Sequence, residues 1–327
     1  MYTDIVGKTL HTGEELKICV VQAPDDKHQS LVRPIVAHKH DNEQWHLDQV
    51  FADRVEYLET RFYLGLLENR AVCNIMVSEH GGAGIVSHVY TLPEHRRKGI
   101  ARLVMTEQMA DFQARSGRYL TLATGYDTHP YFMYHSFGFR AVLPGSGHMK
   151  YSRDTQYEDD QYQSTSARVI PADWTNWPAL NVLCAIKELP PLRNIGLGHL
   201  GPRMFEGAYI SLIRSLRSSK ENQAYLVINS FGAVVGYGTL IPDPRWMGQI
   251  DLLDLFLHPN YSDYFRNLMQ EFSLPVNRKI QCYVDPDNST QIETLIEIGF
   301  EQEANLRKHG VGREEVMDIG IYARFAK

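Results

Sequence analysis

The apolar residues in the first half of the chain fall into short blocks whose period changes from one block to the next. Leu16 to Ala23 (LKICVVQA) reads as a strand, and beyond it Trp45, Leu47, Val50, Phe51, Val55 and Leu58 recur near helical spacing. Arg61 to Asn69 pairs naturally with Ala71 to Glu79, and His80-Gly81-Gly82 turns the chain into a third strand over Ala83 to Leu92. Three antiparallel strands thus lead into a helix expected from Gly99 to Arg115. A strand from Arg118 to Thr124, a short helix carrying Tyr134 and closed by Gly138, and a strand near Phe139 to Leu143 complete the unit. The order is that of an α/β (α+β) domain with a mixed, mostly antiparallel sheet flanked by helices.

The same order returns further on. ARVIPADW opens like a first strand and helix cap, and AYLVIN and GAVVGYGTLI form a hairpin around Ser230-Phe231-Gly232. QIDLLDLFLHP matches the third strand, and KIQCYVDPDN precedes a helix that ends in Ile298-Gly299-Phe300, as the earlier one ends in Phe137-Gly138-Phe139. This is an internal repeat. Residues 152–167 between the copies have hardly any aliphatic side chain and read as a polar linker, which gives domains over 1–151 and 168–327.

The turn that follows the third strand of the first copy carries the most chemistry. In LPEHRRKGIARL (Leu92 to Leu103), Gly99 and Ala101 have almost no side chain, so backbone N–H groups at a helix start stay open to an anion. Arg96, Arg97 and Lys98 add three cations beside them, which suits a ligand with more than one phosphate charge. Taken alone, the same residues also describe a capped helix with a solvated basic turn.

Composition narrows the choice. The chain has 327 residues, enough for two domains that each close a core, and 43% apolar with 22% charged residues is ordinary for a soluble globular protein. The first 153 residues hold 17 acidic and 17 basic side chains, so the net charge of −6 belongs to the remainder. Neither half has the basic excess of a nucleic-acid binder. The opening MYTDIVGKTLHTGEELK does not read as a signal peptide, and no apolar run approaches membrane-spanning length. Cys19, Cys73, Cys184 and Cys282 are far apart among apolar neighbours and read as buried thiols of a cytoplasmic protein.

Arg96-x-x-Gly99-x-Ala101, followed by Tyr134-x-x-x-Gly138-Phe139, resembles the acetyl-CoA site of the GNAT N-acetyltransferase superfamily. Its signature is Gln/Arg-x-x-Gly-x-Gly/Ala with a downstream Tyr-x-x-x-Gly-Phe. The likeness runs along nearly the whole first copy and implies a GNAT fold, repeated in tandem. It further implies direct attack of a neutral amine on the thioester of acetyl-CoA, with no metal. By that resemblance the backbone of Val89, Tyr90 and Thr91 aligns the pantetheine arm. Arg96, Arg97, Lys98, Gly99, Ile100, Ala101 and Arg102 hold the pyrophosphate, and Tyr134 protonates the departing thiolate. Asp127 stands where the family usually has a cofactor-contacting Asn, and it also suits an N-cap for the helix after it. Tyr134 retains the alternative of an interior aromatic.

The general base is less legible. The family often places Glu or His on the strand before the turn, where this chain has Ile85 and Ser87, and His88 is one position off. Alternation turns His88 away from the acceptor unless a bulge reverses it. His129 and His135 are further candidates, and a water relay competes with all three. Eleven of the fourteen histidines lie in the first half, and His38, His40 and His46, with no Cys or carboxylate at ligand spacing, read as a solvated helix end rather than a metal site.

The second copy departs from the motif. After His258-Pro259 it reads NYSDYFRNLM, and Leu295 stands four residues before Gly299. It is expected to be a degenerate domain that has lost the cofactor and either walls the acceptor pocket or serves as scaffold. The acceptor is expected to be a small-molecule primary amine. A protein amine, or a non-catalytic acyl-CoA-binding regulatory role, stays open as an alternative, as does a homodimer.

Overall fold

The computed structural model describes residues 1–311 and 315–326. Residues 312–314 and 327, within the expected second domain, lie outside the described residues. The chain divides into two compact units, Met1–Tyr157 with Asp173–Val182, and Glu158–Ala172 with Leu183–Lys327.

The first unit opens with a hairpin of β1 (Tyr2–Thr9) and β2 (Glu15–Gln22), then α1 (Gln29–Val36) and α2 (Asp41–Phe51). It continues through β3 (Glu59–Leu67), β4 (Arg70–His80), β5 (Ala83–Thr91), α3 (Ile100–Ala114) and β6 (Tyr119–Ala123). Helix α4 (His129–Ser136), β7 (Arg140–Ala141) and β8 (His148–Ser152) complete it. The eight strands lie in the order β1-β2-β3-β4-β5-β6-β8-β7, antiparallel except for β5 beside β6. Strand β1 has no counterpart in the apolar pattern, because its side chains are half-buried or exposed and leave no alternation to read. The closing strand expected at Phe139 to Leu143 shrinks to two residues, and β8 takes the place beside β6.

Alternation on β4 divides the core. Cys73, Ile75 and Val77 join Ile100, Val104, Met105 and Phe112 of α3 in one apolar cluster. Asn74, Met76 and Ser78 therefore point to the opposite face. There Phe62 is paired with Met76 and stacks on Phe51 of α2, with ring centroids 5.3 Å apart.

The stretch 152–167 is not an open linker throughout. It holds helix α5 (Tyr157–Gln161), and its tyrosine rings are the groups able to pack: Tyr157 is buried and stacks on Tyr119 at 5.2 Å. Further along, Trp174 and Trp177 are buried in the first unit.

The second unit contains β9 (Ala167–Pro171), followed by α6 (Trp177–Ala185), whose residues fall on both sides of the unit boundary. Then come β10 (Leu192–Asn194), β11 (His199–Leu200), α7 (Gly207–Ser218), β12 (Gln223–Asn229), β13 (Val234–Pro242) and β14 (Ile250–Leu257). Helix α8 (Phe265–Gln270), β15 (Lys279–Val284), α9 (Ser289–Glu297), β16 (Glu301–Val311) and β17 (Glu315–Arg324) end it. Its large sheet runs β16-β17-β15-β14-β13-β12-β9, with β14 and β15 parallel. Both units thus share a strand order and one parallel pair, and the mixed α/β architecture is doubled. No helix among the described residues is long and apolar enough to cross a membrane.

Candidate active site around the β5 bulge

Strand β5 pairs with β6 only through Ala83, Gly84 and Ile85, facing Tyr119, Leu120 and Thr121. Beyond Ile85 the two strands part, so the remaining edge of β5 is open on that side. On its other side β5 stays bonded to β4, with one irregularity. Met76 faces Ser87 and Asn74 faces Tyr90, so His88 and Val89 together stand opposite Ile75. This is a β-bulge, and His88 takes φ +49° to make it. The Asn74 side-chain amide donates to the His88 carbonyl at 2.8 Å and fixes the bulged peptide.

The bulge resets which way each side chain faces. Val89 packs against the α3-side cluster. The ring of Tyr90 lies 4.0 Å from that of His38, just beyond α1, on the opposite face. His88 feels Lys39, His46 and His38, which places its ring on that same face. The bulge on which the reading of His88 depends is therefore present. Burial, with those neighbours adding, holds its pKa down at about 3, so the ring is a neutral hydrogen-bonding group across the physiological range and a weak base.

Downstream, Pro93–His95 forms one 3-10 turn and Gly99 caps α3 with φ +80°. The first helical bond runs from the Leu103 N–H to the Gly99 carbonyl at 3.1 Å. The N–H groups of Ile100, Ala101 and Arg102 stand ahead of it as the orphan donors of a helix start. A Cβ on Gly99 would meet no atom within 4 Å, so what reserves this position for glycine is its left-handed backbone and the open space above it. Arg97 also has a positive φ, +63°.

The cations are less free than the sequence suggests. Lys98 Nζ donates to both Glu14 carboxylate oxygens at 2.8 Å. Arg96 Nε donates to the Thr91 carbonyl at 3.0 Å, with its guanidinium 5.6 Å from the Tyr90 ring centre, and Arg102 donates to Ser136 Oγ at 3.0 Å. Arg97 is exposed. Asp127 does not cap α4. It takes φ +58° and is exposed, and Thr128 is the cap, its hydroxyl accepting from the Tyr131 N–H at 3.4 Å. The extra residue before the helix demands a left-handed step, which an Asp tolerates.

Tyr134 is 5% exposed and belongs to the α3-side cluster with Phe139, whose ring lies edge-on at 6.0 Å. Val89 and Ala101 pack against the same cluster. The structure thus brings Tyr134, Val89 and the start of α3 to one face of β5, and His88 to the other. His129 is exposed at the start of α4, and His135 is exposed near its end.

His38, His40 and His46 are not one solvated helix end. His40 precedes α2 and is exposed, but His46 is fully buried, stacked on Trp174 at 4.7 Å and edge-on to Trp177 at 5.3 Å. No group of three or more His, Cys, Asp or Glu side chains among the described residues is arranged to hold a metal ion. Sequence reasoning passed over Asn74, a polar residue inside an apolar strand, which was itself the available signal.

Residues 63–144 match the family model of the FR47-like protein. That span runs from within β3 to just past β7 and contains the bulge, the Gly99 turn and Tyr134. This part of the first unit is FR47-like. No curated protein matches the chain in sequence. Among solved structures, an acetyltransferase of the GNAT family from Streptococcus pneumoniae aligns over 50% of this chain and 100% of its own, at 15% identity and a TM-score of 0.37. The spermidine N-acetyltransferase from Vibrio cholerae in complex with CoA and spermine aligns over 48% of this chain and 94% of its own, at 12% identity and a TM-score of 0.37. Likeness at that level names no substrate for this chain.

The buried imidazole of His46 makes a stability prediction for the first unit. Burial lowers its pKa to about 3, and neither ring nitrogen has a hydrogen-bond partner among the described residues. Between pH 6.5 and 3 the unfolded chain binds a proton that the folded chain refuses, so stability falls as pH falls. From pH 7 to pH 5 this amounts to about 2 kcal/mol for such a group. His46→Phe keeps the stacking surface, so urea unfolding at the two pH values should show that share of the loss removed. A variant that loses as much as the parent would show that His46 takes up its proton in the folded state.

Proposed function

We propose that the first unit is an acetyl-CoA-dependent N-acetyltransferase that transfers the acetyl group to a primary amine of a small molecule by direct attack. The supporting observation is the conjunction on one strand of an open edge, a bulge and a helix start with unpaired N–H groups. These fit an acyl-CoA as co-substrate: an extended amide-bearing arm suits the open β5 edge, and a pyrophosphate suits the Gly99 turn.

In this reading the backbone of Val89, Tyr90 and Thr91 holds the pantetheine arm. The N–H groups of Arg97 to Arg102 take the pyrophosphate, with Arg97 and Arg96 supplying charge and Asp127 lying at the rim. The amine nitrogen bonds to the thioester carbonyl carbon, a peptide N–H of the bulge steadies the oxyanion, and the C–S bond breaks. The Tyr134 hydroxyl gives its proton to the leaving sulfur and is restored from the attacking nitrogen's proton through water. His88, neutral in its buried setting, orients the amine by accepting an N–H. The domains are proposed at 1–151 and 168–327.

The second unit is proposed to bind no acyl-CoA. Its β13–β14 ladder runs from Gly236–Leu257 to Pro242–Asp251 without a shift, so it has no bulge. Strands β14 and β15 part after three residues as their counterparts do, but the Gln291 side chain donates to the Leu255 carbonyl at 3.4 Å from within that cleft. Leu295, which takes the place of Tyr134, offers no proton.

Three outcomes check this. Isothermal titration should give one acetyl-CoA per chain, and two would reinstate the second unit as a binding domain. Gly99→Val should impose about 1–2 kcal/mol of backbone strain and close the space above the turn. Acetyl-CoA affinity should then fall by on the order of a hundredfold in a protein that still melts cooperatively. Tyr134→Phe retains the ring and removes the proton, so kcat should fall by about 10–100-fold while the acetyl-CoA Kd holds. Unchanged kcat would take Tyr134 out of the chemistry.

A further inference from the structure

Several buried polar atoms beside the bulge have no partner among the described residues. They include the Asn74 Oδ1, the Ser87 Oγ and both nitrogens of His46. An unsatisfied buried polar group is costly, so a set of them beside an open strand edge marks a place that a ligand completes. The orientation of Asn74 is fixed because its Nδ2 donates to the His88 carbonyl, which leaves the side-chain oxygen as a lone acceptor. Asn74 is fully buried, and register places it on the same face as Tyr90, Met76 and Ser87.

The charged or titratable groups that act on His88 are Lys39, His46 and His38, none of them an acid. On α1 and α2, Arg33 is paired with Asp48 at 2.6 Å, and Glu43, one turn before His46, has a buried carboxylate oxygen with no hydrogen-bond partner among the described residues. An amide oxygen and a hydroxyl accept N–H bonds from a neutral amine well, but they give a buried ammonium no counter-charge. The Tyr90 and His38 rings, tilted by 31° with centroids 4.0 Å apart, supply an aromatic wall next to it.

Resting on the acetyl-transfer reading, we infer that Asn74 Oδ1 and Ser87 Oγ seat the acceptor nitrogen, and that the acceptor is a weakly basic, ring-bearing amine bound uncharged rather than an aliphatic polyamine. The bulge then places this nitrogen beside the strand segment that carries the thioester, and the pair selects by desolvation rather than by charge.

The full-length protein with acetyl-CoA is assayed by CoA thiol release against an arylamine, p-anisidine, and against spermidine. The arylamine should be favoured in kcat/KM by about tenfold or more. Ser87→Ala should lower the arylamine kcat/KM about tenfold with the acetyl-CoA Kd unchanged, and Asn74→Asp, by adding a carboxylate, should move the ratio toward spermidine. If Asn74→Asp does not fold, Ser87→Ala decides alone. Spermidine used as well as or better than the arylamine, with that activity lost in Glu43→Gln, would overturn the inference and leave the acetyl-transfer reading standing. So would a Ser87→Ala protein with undiminished kcat/KM. Binding of acetyl-CoA with no turnover of either amine would overturn the acetyl-transfer reading, and this inference with it.

Discussion

Two parallel strands that part after three paired residues are what the rest of the first unit is built around. A β5 edge that kept its partner would spend its N–H and C=O groups on β6 and present nothing to a ligand. The parting requires α3 and α4 to cover apolar faces without closing the gap, and they do so with Ile100, Val104, Met133 and Tyr134 packed into one cluster. It also brings the end of β5 into the turn at Gly99, so the open strand edge and the helix start form one continuous stretch of backbone.

The two units share this gap and differ in what surrounds it. Both have the parallel pair, the hairpin before it and a late helix whose carbonyl accepts from a Phe N–H, Tyr134 to Phe139 and Leu295 to Phe300. In the second unit, Asp254 stands on β14 where the pairing puts Ser87 on β5. Its carboxylate is buried and accepts from the Ile195 and Gly196 N–H groups at 2.8 and 2.9 Å. Burial raises its pKa to about 6. A position whose buried hydroxyl has no partner in one copy anchors a neighbouring loop in the other.

Much of this was legible in the sequence. The apolar blocks from Leu16 to Leu92 placed β2 to β5 within a residue or two, since strands buried on one or both faces must carry their pattern. The Gly99 turn and the Tyr134 helix were legible because glycine and aromatic spacing are local. Strands β1 and β8 were not, because strands whose faces are mostly half-exposed leave no period. The bulge could be posed only as a condition, since an extra residue in one strand shows only against its partner. His46 was misjudged because its surroundings, Trp174 and Trp177, come from far along the chain.

The ion pair between Lys98 and Glu14 joins the turn before α3 to the β1–β2 hairpin. Lys98 holds the Glu14 carboxyl below its usual range. On the acetyl-transfer reading, an anion bound at the turn would compete with the Glu14 carboxylate for one ammonium. The hairpin would then loosen as the turn fills, and the first strand of the chain would report whether the site is occupied.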